Sequence, residues 1–210
     1  MKSLFNYPEY IEVNNKKYKI DTNFKTAIKC NDISMDQNIS IDEKILAMIY
    51  LLFGKDALVD IKKDNSLIEP FGEKILYYLQ CGNTAKNNKD NKKEKEPDMD
   101  FIQDMPFIEA SFMSDYGISL EESNMHWWKF YHLIGGLSNS EMGNCCILNR
   151  IRNLRNTDLS EIKDPKERKK IKEAKEYFAL KKEKKIKTFT EEELKNMEEY
   201  HKLIDNRKEQ

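Results

Sequence analysis

Apolar and polar positions first alternate with a period of two. Tyr10-Ile11-Glu12-Val13 and Tyr18-Lys19-Ile20 flank Asn14-Asn15-Lys16-Lys17, the pattern of a short β-hairpin. A lone hairpin is marginal in water, so this one must pack on helices. The spacing then becomes helical. Asp21 or Thr22 is expected to open a helix carrying Phe24, Ala27 and Ile28. Ser40 with Glu43 is a capping-box start for a second helix running through Phe53 and stopped by Gly54. Phe71 to Leu79 predicts a third, ending near Gly82.

Residues 83–97 hold almost nothing to bury and read as a loop within one domain. Patterning resumes with a helix carrying Phe107, Ile108 and Phe112 to Tyr116; Pro106 fits its first turn and Gly117 its end. Ser119 with Glu122 forms another capping box, expected to start the element that leads into Trp127. Gly135-Gly136 breaks that element, and a helix bearing Cys145, Ile147, Leu148, Ile151 and Leu154 follows. Two tail helices are expected after Asp164-Pro165 and after Thr190, each with an apolar stripe too narrow to bury much area. The expected fold is mainly α: a single helical domain over 1–160 with an N-terminal β-hairpin, then a charged C-terminal helical tail over 161–210.

Composition sharpens this picture. Only 39% of the 210 residues are hydrophobic and 35% are charged, with a mean hydropathy of -0.79, so the apolar side chains must be concentrated in stripes under a charged surface. The net charge of -1 hides a segregation. Residues 97–124 hold seven acids and no Lys or Arg, whereas 163–187 hold twelve Lys/Arg against five Asp/Glu. The basic stretch could meet phosphates, lie on the acidic stretch, or be solvated. Cys30, Cys81, Cys145 and Cys146 show neither a disulfide framework nor zinc spacing and read as reduced thiols. The N-terminal stretch lacks a signal peptide's apolar core, and the apolar run from Ile45 to Phe53 is far short of the ~20 residues that span a bilayer. A cytoplasmic protein without membrane segments is expected.

Both tryptophans lie in Met125-His126-Trp127-Trp128-Lys129-Phe130. Adjacent helical residues point about 100° apart, so Trp127 and Trp128 together need cover around most of the helix, and both are expected in the core. One indole could alternatively anchor a partner. His126 and His132 are six apart and fall on different faces, which suits a hydrogen-bonded histidine better than a metal ligand. Arg150, Arg152 and Arg155 could bind phosphate, suit a helix C-terminus, or pair with the acidic segment. No P-loop, G-x-G-x-x-G, G-x-S-x-G or H-E-x-x-H motif occurs, so neither catalysis nor a cofactor is expected.

The ordered set Phe112, Tyr116-Gly117-Ile118, Met125 to Phe130 and Ile147 to Arg152 resembles a family of small proteins from temperate tailed phages and prophages of Gram-positive bacteria, known only as gene product fifteen and encoded beside the tape-measure gene. The likeness spans roughly residues 1 to 185; Ser119 stands where the family often carries Asp, and the helix after Thr190 is an extension. The resemblance implies a part in assembling a long non-contractile tail as a chaperone of the tape-measure protein, with other tail assembly proteins as further partners. It brings no catalytic residues. A minor structural component of the tail and a nucleic-acid-binding module built on the basic tail are the alternatives, the latter without specific recognition. A partner surface is expected at Tyr177, Phe178 and Leu180, apolar side chains on a tail helix whose stripe is too thin for the core.

Overall fold

The computed structural model describes residues 7–36, 39–83, 97–139 and 145–181. These residues are mainly helical and carry one two-stranded antiparallel sheet. In the hairpin, β1 (Tyr10–Val13) pairs with β2 (Lys16–Lys19), Ile11 opposite Tyr18. Asn14 and Asn15 both take positive φ, the conformation a two-residue hairpin turn demands. Ile11, Val13 and Tyr18 face inward, and the Tyr18 hydroxyl donates to Asp60 at 2.9 Å. Lys16 lowers the Asp60 pKa, helped by that tyrosine.

Helix α1 (Phe24–Met35) is capped by Asn23, one position later than expected. Asp21 acts just outside the helix, accepting the Asn23 N–H and the Thr26 hydroxyl. The Ser40–Glu43 capping box opens α2 as expected, but Gly54 does not end it: α2 spans Ile41–Lys63. Gly54 has φ 76° and ψ -171°, values that favour glycine, and the chain kinks there and resumes as helix. One 3-10 turn (Asn65–Leu67) leads into α3 (Ile68–Leu79).

Helix α4 (Met105–Tyr116) starts with Pro106 in its first turn and ends at left-handed Gly117. No helix follows Ser119. The Leu120 N–H donates to Glu109 of α4 at 2.8 Å, a tertiary bond in a stretch where a capping box is expected. The next helix is α5 (Trp127–Gly135), then α6 (Ile147–Asn156) and α7 (Pro165–Tyr177), the last capped by Asp164. The expected helix after Thr190 lies outside the described residues, as does most of the expected loop over 83–97.

One cluster of buried side chains runs from Ile11 to Leu148, so both halves of the chain share a core. A backbone bridge ties them: Phe24 N–H donates to Met125 O and Trp127 N–H to Thr22 O. Phe24, Phe130 and Phe112 stack successively at its centre, with ring centroids 4.7 and 5.3 Å apart. Helix α7 has no buried residue and carries its own lysine–glutamate pairs, Lys169–Glu173 and Lys172–Glu176.

The acidic segment is a set of hydrogen-bond acceptors. Asp100 caps the Ile102 and Gln103 N–H groups, Glu109 takes Leu120 N–H, and Asp115 takes Ser138 N–H. Among the described residues its arginine partners come from α6. Arg155 makes a bidentate pair with Asp104, only 1% exposed, at 2.7 and 2.8 Å. Arg152 and Asn156 hold Asp98, whose pKa is raised by burial but lowered overall by these donors.

Candidate partner-binding groove

The tryptophan segment closes the end of α3. Trp127 is 2% exposed and its indole N–H donates to Leu79 O at 3.1 Å; the Trp128 indole N–H donates to Tyr78 O at 2.9 Å. The last carbonyls of a helix have no partner within it. Here Gln80, Gly82 and Asn83 N–H groups take Leu76, Tyr77 and Gln80, while the two indoles take Tyr78 and Leu79. Trp128 differs from expectation in being half-buried, because it lies over this helix end and not within the core. Gly82, at φ 77°, permits that: a Cβ there would meet the Trp128 ring at 3.0 Å.

His126 sets the start of α5. Its Nδ1 accepts the Trp128 N–H at 3.0 Å and its Nε2 lies 3.1 Å from Pro8 O, so the proton sits on Nε2. The ring stacks on Tyr7, and burial lowers its pKa. A protonated ring would lose the Nδ1 acceptor that caps the helix. This is a structural histidine.

With the α3 end fixed, α2, α3, α5 and the Met99–Phe101 strip enclose a groove of about 1260 Å³. Its floor is apolar: Met48, Ile75 and Trp127 are buried and Ile45, Ile68, Leu79, Met99 and Phe101 partly so. Its edges carry large apolar side chains in solvent, with Ile41 74%, Leu76 59% and Tyr131 39% exposed. Asp42 on α2 and Glu69 and Glu73 on α3 are the groove's acids, all exposed and without an ion pair among the described residues. The one cation among the described lining residues, Lys44, donates to Ser34 O at 3.0 Å. Pattern reading misses this site because Ile41 and Ile45 sit beside the core stripe of α2 that includes Met48, giving an apolar arc too wide for one buried face. That width is the available signal.

Of the residues expected to bind a partner, Tyr177 and Phe178 meet edge to face, ring centroids 4.9 Å apart. Tyr177 closes α7 and is 82% exposed, whereas Phe178 and Leu180 lie past the helix end and are half-buried. The Phe178 ring packs on Phe107 at 5.9 Å, and its carbonyl accepts from Arg155 at 2.7 Å. Of the three arginines weighed as phosphate ligands, Arg152 and Arg155 are occupied by carboxylates and Arg150 is exposed. The cysteines are free thiols, and among the described residues no cluster of potential metal ligands occurs.

The family model described as Bacteriophage Gp15 protein matches residues 6–180 of this chain. No curated protein and no solved structure matches it. The matched span takes in both walls of the groove and the tryptophan segment, and stops one residue short of Lys181, whose backbone N–H and carbonyl bond the Gln103 side chain.

Proposed function

This chain belongs to the bacteriophage Gp15 protein family, and on that premise we propose that it is a non-catalytic chaperone of the tape-measure protein in a Gram-positive siphophage. It acts in the cytoplasm of the bacterial host cell while the tail is built, and is absent from the mature virion. The observation that carries this reading is the open apolar groove on a chain of this family. Long helices with exposed apolar stripes aggregate unless covered. A groove between two helices covers one such stripe reversibly, by helix-in-groove packing. The role needs no cofactor, membrane or specific nucleic-acid contact.

Co-expression tests the reading. The tape-measure protein should be more soluble with this protein present, and that gain should be lost with Leu76→Asp in the groove. A variant with Tyr177, Phe178 and Leu180 all changed to Ser should retain it. Loss in the serine variant alone would move the surface to the tail. No gain with the wild-type chain, together with its detection by mass spectrometry in purified virions, would make it a structural tail component instead.

A further inference from the structure

We infer that the groove selects amphipathic helices whose apolar stripe is flanked by lysine or arginine. The inference rests on the helper role proposed above and supplies the chemistry of its partner. Size comes first. A helix about 10 Å across rising 5.4 Å per turn fills roughly 420 Å³ per turn, so 1260 Å³ holds about three turns. That is more than the ~300–1,000 Å³ of a usual small-molecule pocket.

Charge then chooses among helices. One wall carries Asp42 and the other Glu69 and Glu73, while the single cation among the described lining residues, Lys44, is turned to the Ser34 carbonyl. Glu69 and Glu73 are four apart on α3 and share a face, where like charges repel. A cation beside the incoming stripe relieves that repulsion, and an anion adds to it. Segments of this chain fit less well. Residues 84–96, which follow Asn83 of the groove lining, hold lysines but only Ala85 as an apolar side chain. In the tail, Glu191, Glu192 and Glu193 immediately precede Leu194 and would add acid to an acidic rim.

The test uses the full-length protein and two labelled peptides of about 18 residues, long enough for the groove at 1.5 Å per residue. Both share one leucine stripe at helical spacing; one has lysine flanks and the other glutamate flanks. By fluorescence anisotropy at low salt the lysine peptide should bind about tenfold more tightly, and the gap should close as salt rises. The double change Glu69→Lys and Glu73→Lys should reverse the preference, and Leu76→Asp should weaken both peptides. These three side chains are exposed, and an unchanged melting curve verifies that each variant is folded. Equal binding, no binding, or a preference that survives the charge reversal overturns the inference. A self-association that Leu76→Asp abolishes, without peptide binding, also overturns it and assigns the groove to a second copy. Failure here leaves the co-expression result intact, whereas failure of co-expression removes the helper role whatever the peptides do.

Discussion

The two sides of this molecule treat charge and apolar surface in opposite ways. On the α4–α6 side, acids and arginines are drawn in together: Arg155 meets Asp104, Arg152 meets Asp98, and buried Ser111 joins Phe107 O to Leu148 N–H. Around the groove of α2 and α3, Asp42, Glu69 and Glu73 stand without an ion pair among the described residues, and Ile41 and Leu76 remain in water. A buried pair left half-made is costly, so the first arrangement serves folding. Exposed apolar side chains beside unpaired charge cost a fold little and give a partner something to gain, so the second serves recognition. Polar groups alone do not mark the functional side here.

Substitutions can break this contrast, and the largest effects belong on the closed side. Arg155→Ala leaves Asp104 buried without its cation and should destabilise the protein by about 3–5 kcal/mol in denaturant unfolding. Trp127→Ala, which opens the groove floor and orphans Leu79 O, should cost a similar ~3–5 kcal/mol. A loss under about 1 kcal/mol at either position would mean that the closed side is no more committed to folding than the open one.

Trp128→Phe sharpens the contrast within the tryptophan pair. It keeps one aromatic ring but removes the fused second ring and the hydrogen bond to Tyr78 O, so about 1–2 kcal/mol is expected at this half-buried position. Tryptophan emission should accordingly come from one well-shielded and one partly quenchable indole.

His126 supplies a pH test with a definite sign. Its pKa in the folded protein is lowered below the ordinary 6.5 by burial. Unfolded chains therefore bind the proton first, and stability should be level above about pH 6.5 and fall as pH drops below it. His126→Asn, which keeps a cap acceptor, should flatten that dependence; an unchanged slope would place the titration elsewhere.

The smallest stability effect should come from the open side. Leu76→Asp should change stability by no more than about 0.5 kcal/mol, as is usual on a surface, while abolishing partner binding.

How much of this was legible in the residues depended on whether the deciding interaction was local. The Ser40–Glu43 box, the Gly117 stop and the Asp164 cap are fixed within a few residues, and each appears where the pattern predicts, whereas the hairpin turn is Asn14-Asn15 alone and its return strand starts at Lys16, two residues earlier than the pattern places it. Ser119 carries the same local signal as Ser40 and forms no helix; the Leu120 N–H beside it is held by Glu109, which lies on α4. Gly54 carries the local signal of a stop, since glycine ends helices more often than it kinks them; the return to helix after it is supported by packing of Ala57 and Ile61 in the core. The groove was invisible for a related reason. Its walls come from α2, α3 and α5 with Asn31 and Ser34 of α1 and a strip near Phe101, and a pattern on one helix cannot say which of two apolar stripes finds a neighbour.

The most direct test of the proposed role is site-specific photocrosslinking in host cells while phage tails are being assembled. A photoreactive phenylalanine analogue replaces Leu76 in the groove or, in a separate strain, Tyr177 on the tail. Crosslinking from position 76 to the tape-measure protein, with little from position 177, is the predicted result. Crosslinks from position 177 alone, or from neither position to that protein, would contradict the account.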